Sequence, residues 1–170
     1  MTPHAPLIVT ALFGAGDDGW LQQLRRTHYP PERNQVPAHL TMFHAIPPSA
    51  EQELRTRLKA VVRRRAPIAH IAGLMNLGGG VAFRVTSDDL DSVWHEIADS
   101  LHGLLSAQDG GGWRPHVTIQ NKVVPKAARQ LIDSLQKAFE PRPLKISGLG
   151  LYSYLGGSWE RLGSFAFRGA

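Results

Sequence analysis

The chain has no cysteine. That excludes disulfides, thiolate nucleophiles and every zinc site built on sulfur. It also has no apolar run near the ~20 residues that a bilayer-spanning helix needs. Residues 5–13 are apolar except for Thr10 and have no basic residue ahead of them, so they predict a first strand and not a signal peptide. No membrane contact and no obligate protein partner are indicated, and the missing cysteines fit a cytoplasmic protein. Acidic residues are scarce: 14 Asp and Glu stand against 19 Lys and Arg, a net charge of +5. A pI near 10.0 suits a polyanionic partner.

At 170 residues the chain fits one domain, and a chain of this length buries roughly 70% of its unfolded surface. Apolar patterning predicts strands over 6–13 and 38–46, with a helix over 17–26 between them. A helix over 51–64 and a strand over 68–77 follow. The order then restarts, with a strand over 81–86 and a helix over 89–105. Leu90, Val93, Trp94, Ile97, Leu101 and Leu104 recur in that helix at helical spacing. A strand over 115–123, a helix over 126–139 opened by Pro125, and strands over 144–155 and 159–168 complete the chain. The expected class is α+β, in two similar lobes of about 1–78 and 79–170 that meet at Gly78-Gly79-Gly80.

Two strings stand out: His39-Leu40-Thr41-Met42 and His116-Val117-Thr118-Ile119. On a strand, residues i and i+2 share a face, so each string presents one imidazole beside one hydroxyl. The chain holds 8 His and 7 Thr. Chance then yields roughly 0.06 such triplets with apolar residues at both intervening positions, and a pair is an event of about one in several hundred. Two such strands facing each other place two imidazoles and two hydroxyls around one cleft. An imidazole with a pKa near 6.5 can take or give a proton near neutrality, and hydroxyls can hold phosphate oxygens. This is a metal-free arrangement for acid–base chemistry on a phosphate.

With these motifs, and with Pro37-Ala38 and Arg114-Pro115 leading into them, the sequence resembles the two-histidine (2H) phosphoesterases. Their bacterial 2′-5′ RNA ligase and RNA 2′,3′-cyclic phosphodiesterase-like branch is the nearest in pattern. The resemblance implies a bilobal, pseudo-two-fold α+β fold, with antiparallel sheets lining a central cleft and helices outside. It implies a metal-independent phosphodiesterase without a cofactor, acting on an RNA end or a 2′,3′-cyclic nucleotide. His39, Thr41, His116 and Thr118 are the implied catalytic residues, the first histidine as acid and the second as base in hydrolysis. Family members often carry a basic residue shortly after each motif. Here Phe43 and His44 follow the first, and Gln120 and Asn121 precede Lys122 after the second.

Substrate contacts are therefore expected from Arg33, Arg114 or Lys122, with Phe43 and Gln120 beside the catalytic groups. Strict alternation puts 39, 41, 43 and 116, 118, 120 on the cleft faces. The same alternation turns His44 away from His39, toward core or solvent. Arg63-Arg64-Arg65 and Arg25-Arg26 read as solvated helix ends or as a patch for RNA. Tyr29, Trp113, Tyr152, Tyr154 and Trp159 are candidates either for packing or for stacking on a base.

Two other readings compete. A non-catalytic RNA- or nucleotide-binding module could keep the same fold. Separately, Gly14-Ala15-Gly16-Asp17-Asp18-Gly19 matches the dinucleotide fingerprint G-x-G-x-x-G between a strand and a helix. Asp17 and Asp18 would repel a pyrophosphate there. A glycine turn with Asp complementing the helix dipole explains the same residues.

Overall fold

The computed structural model describes residues 4–169. Within it run β1 (Leu7–Phe13), α1 (Ala15–His28), β2 (Leu40–Ile46), α2 (Glu51–Val61), β3 (Ile68–Asn76) and β4 (Val81–Thr86). Then come α3 (Asp88–Ser100), the single turn α4 (Ala107–Gly110), β5 (His116–Gln120), α5 (Pro125–Gln136), β6 (Arg142–Tyr154) and β7 (Trp159–Ala166). The helix expected over 89–105 ends early. Gly103 takes a left-handed φ of 80°, and Leu104 is left exposed. At its start, the Ser87 side chain accepts the Leu90 N–H at 3.0 Å, and three aspartates complement the dipole. The turn α4, which the apolar pattern does not announce, is capped in the same way by Ser106.

The seven strands form one antiparallel sheet in the order β2-β1-β6-β3-β4-β5, with β7 alongside β6. β6 is long enough to serve both ends. Its first residues, Arg142–Lys145, pair with β3, and the remainder pairs with β1 and β7. The sheet therefore trades strands between the two halves of the sequence: β3 lies with β4 and β5, and the end of β6 lies with β1 and β2. A break at Gly78–Gly80 thus marks a hairpin between β3 and β4, not a boundary between sheet halves. The hairpin closes through the Leu77 N–H donating to the Gly80 carbonyl at 2.8 Å. Gly78 has a φ of 86°, and a Cβ on Gly80 would run into the backbone of Gln120 and Asn121. Glycine is required at both.

The apolar stripes of α2 (Leu54, Leu58, Val61) and α3 (Leu90, Val93, Ile97) are fully buried with Leu40, Val85 and Val117 in one core. Each such side chain contributes about 1.5–3 kcal/mol by leaving water. β2 and β5, the two ends of the strand path, lie against each other. The motif strands thereby become neighbours, and α1 packs on β5 beside them. No helix among the described residues is long and apolar enough to cross a membrane.

Candidate active site

The segment before each motif histidine fixes its ring in the same way. His39 donates Nδ1–H to the Pro37 carbonyl at 2.8 Å, and His116 donates Nδ1–H to the Arg114 carbonyl at 2.7 Å. A carbonyl can only accept, so the proton sits on Nδ1 in both rings. Each Nε2 is left as the working nitrogen. Two sequence segments without other likeness thus orient two imidazoles through the carbonyl two residues upstream.

Helix α1 ties both motif strands together. Gln22 brackets Ala38, its Oε1 accepting the Ala38 N–H at 2.8 Å and its Nε2 donating to the Ala38 carbonyl at 3.0 Å. One turn further on, Arg25 donates to the Thr118 carbonyl at 3.0 Å and to Asn34 Oδ1 at 2.8 Å, and lies 4.2 Å from the Tyr29 ring centre. Arg25 is buried, and these partners are all neutral. A solvated helix end is the wrong description for it. Arg26, beside it, is exposed and lines the cleft at His39.

That cleft holds about 570 Å³ between β1, the loop before His39, and the β6–β7 hairpin. Trp159 lies against the His39 ring at 4.5 Å, and Tyr152 against Trp159 at 5.5 Å. Gly150 makes this possible, because a Cβ there would meet the Tyr152 ring and Thr10 Oγ1. Arg161 and Gln35 line the same cleft. Burial is the main cause that pushes the His39 pKa down, to about 4. The charges of Arg25, His116 and His44 act in the same direction, against the bond to Pro37. His39 therefore stands neutral at pH 7. That is the state a general base needs, the reverse of the role the resemblance implies for it.

Both motif strands carry a bulge directly after the threonine. In β2, Thr41 pairs with Thr10 and Phe43 with Val9, so Met42 is an extra residue. In β5, Thr118 pairs with Ala82 and Gln120 with Val81, so Ile119 is extra. Each bulge reverses the alternation. Phe43 accordingly turns into the core, fully buried and stacked at 5.3 Å on Trp94, whose indole N–H donates to the Met42 carbonyl at 2.9 Å. Gln120 likewise turns onto the core side with Val81 and is buried. The expectation that Phe43 and Gln120 share the cleft faces fails at both positions for this one reason.

The same reversal brings His44 back to the side of Thr41. Its side chain is 42% exposed, and its Nδ1 lies 2.9 Å from Asp109 Oδ1. Asp109, on α4, is buried and also accepts the N–H groups of His44 (2.9 Å) and Ala45 (3.0 Å). Burial acts to raise the Asp109 pKa. The hydrogen bonds from His44 and Ala45 outweigh it, and the carboxyl is held below its usual range.

The expected cationic contacts are spread out. Arg33 is exposed on a 3₁₀ turn and is not among the residues lining the His39 cleft. Arg114 lines a separate hollow with Arg84, Asp91 and Trp113. Lys122 is exposed at a left-handed φ of 61°, its N–H held by the Asn121 side chain. Of the triple arginine, Arg64 pairs with Glu96 and Arg65 with Asp89, so two of its three charges are engaged by α3. Tyr29 and Trp113 pack under Arg25 and against Trp94, leaving Tyr152 and Trp159 at the cleft. Where a dinucleotide would dock, Asp17 instead accepts the Lys145 N–H at 2.8 Å and an Arg142 N–H at 3.1 Å. That turn is a structural tie between α1 and β6. Among the described residues, no three His, Asp or Glu side chains gather as a metal site requires.

Among solved structures, the fold is similar to TT0787 of Thermus thermophilus, with a TM-score of 0.65 and 16% identity over 96% of this chain and 98% of that one. It is also similar to E. coli LigT complexed with 3′-AMP, with a TM-score of 0.59 and 17% identity over 96% and 98%. The same protein complexed with phosphate gives 0.56 and 16% over 98% and 99%. At such identities these likenesses establish the fold. No curated protein matches the sequence. A family model does, over residues 15–158, which takes in both motifs and all but the first and last strands. With this match, the chain belongs to the 2′-5′ RNA ligase superfamily of two-histidine phosphoesterases.

Proposed function

We propose that the protein is a metal-independent phosphodiesterase that hydrolyses a 2′,3′-cyclic phosphate, on a nucleotide or at an RNA end. The observation that carries this reading is the matched lock on Nδ1 of His39 and His116, which frees two Nε2 atoms for proton transfer. In the reaction one Nε2 takes a proton from water as its oxygen attacks phosphorus. The other Nε2–H gives a proton to the departing ribose oxygen, and the P–O bond to that oxygen breaks. Thr41 and Thr118 donate to the non-bridging oxygens, where charge must be held. The neutral free state of His39 suits the base, and His116 is then the acid. Trp159 and Tyr152 offer a stacking surface for the base of a nucleotide. The positive field of Arg25, Arg26 and Arg161 favours an anion in the cleft. E. coli LigT, of the same fold, is known in complex with 3′-AMP and with phosphate, which supports a nucleotide phosphate as ligand.

The test is direct. Incubated with 2′,3′-cyclic nucleotides in EDTA, the protein is expected to release the monophosphate. Binding without turnover would favour the non-catalytic module instead. If the substrate is an RNA end, turnover of oligonucleotides should fall steeply between low and moderate salt, because each phosphate neutralised releases counterions. Arg114 and Lys122, which flank the second motif, are the proposed sources of such contacts. A rate unchanged by salt would point to a mononucleotide-sized substrate.

A further inference from the structure

We infer that His44, backed by Asp109, is a subsite for a second phosphate, and that the substrate is therefore an RNA end and not a free mononucleotide. This rests on the phosphodiesterase reading and narrows its substrate.

Three imidazoles in this region share one design. In His39, His116 and His44 alike, Nδ1 is engaged by the protein and Nε2 is left over. The partner differs in kind. His39 and His116 lean on neutral carbonyls, whereas His44 leans on a buried carboxylate. Asp109 accepts from the ring and from two successive backbone N–H groups, so the imidazole, the bulged strand edge and α4 are locked as one unit. With Nδ1 held by Asp109, the Nε2 edge of the partly exposed ring is the part free to meet a ligand.

Position decides which anion. The bulge at Met42 returns His44 to the Thr41 side of β2, and its charge is felt at His39. Two residues lie between it and Thr41, one of them the bulged Met42, so it stands on the order of 7 Å further along the strand at ~3.3 Å per paired position. The ring thus stands beyond the phosphate that His39 and Thr41 would hold, toward the next phosphate along a strand. A mononucleotide has none to offer there.

The experiment compares a 2′,3′-cyclic mononucleotide with a dinucleotide ending in a 2′,3′-cyclic phosphate. The wild-type protein should prefer the dinucleotide in kcat/KM by roughly tenfold or more, the worth of a hydrogen bond to a charged group. His44→Asn should raise KM for the dinucleotide by about that factor, leave its kcat within about threefold, and leave the mononucleotide unaffected. His44→Arg, which places a guanidinium donor beside Asp109, should retain most of the preference. A wild-type protein that turns over both substrates equally well overturns the inference while leaving the phosphodiesterase reading intact. An equal loss on both substrates in His44→Asn also overturns it. Failure to hydrolyse either substrate would count against the phosphodiesterase reading itself.

Discussion

His39→Ala and His116→Ala will each lower kcat on a 2′,3′-cyclic phosphate by roughly 10²–10⁴, the usual worth of a positioned acid or base. The two rings act on opposite ends of one displacement, so the double variant should lose little more than either single one. Thr41→Val and Thr118→Val should cost roughly 10² each, as one donor to the charged oxygens is lost. The fold should survive all four changes. The four motif side chains are half-buried, His39 at the cleft, and the core beneath is carried by Leu40, Met42, Val117 and Ile119. Thermal unfolding measured beside kcat separates the two effects. A His39→Ala or His116→Ala protein with near-full activity would refute the paired mechanism.

The second large effect is on pH dependence, and both activity and stability report it. His39 titrates at about 4 in the folded protein against 6.5 in its ordinary state. Between those values the unfolded chain binds the proton that the folded protein refuses. Stability from this group is therefore complete above pH 6.5 and lost as pH falls toward 4. The loss amounts to at most about 3 kcal/mol, less by the screening that solvent gives a half-buried ring. Asp109 acts in the same direction but lower, below the usual carboxylate range, because its folded pKa is also depressed. Denaturant unfolding at pH 7 and pH 4 should show the difference, and His39→Gln should remove most of it. For activity, kcat/KM reports the free protein. With His39 as base, its acid limb should lie near pH 4, and activity should hold between pH 7 and 5 as far as His39 is concerned. A tenfold fall in kcat/KM per unit as pH rises above 4 would assign His39 the acid role and reverse the mechanism.

What could be read in the chain follows from where its local rules hold. His39 with Thr41, and His116 with Thr118, are legible because period-two alternation is intact over those three residues. One residue later it is not. The bulges at Met42 and Ile119 carry no glycine or proline to announce them, so Phe43 and Gln120 read as cleft residues when they are core, and His44 reads as the reverse. Asp109 was out of reach for a different reason. It lies in a four-residue turn that runs into Gly110-Gly111-Gly112, and its role exists only through contact with a strand some 65 residues away. Arg25 sits at a helix end where arginine is ordinarily solvated. Only the packing of α1 across β5 reveals that it is buried with neutral partners. The strand exchange through β6 is equally non-local, and for that reason the halves of the sequence are not the halves of the sheet.

The proposed mechanism needs two imidazoles to share one phosphate through their Nε2 atoms. Imidazole-resolved ¹⁵N NMR of the protein titrated with a nucleoside monophosphate, the class of product expected, tests this most directly. The Nε2 resonances of His39 and His116 should both move, with one common Kd and one equivalent of ligand, while each Nδ1–H stays bound to its carbonyl. A response from one ring alone, or two responses with different Kd values, would contradict a site built from both.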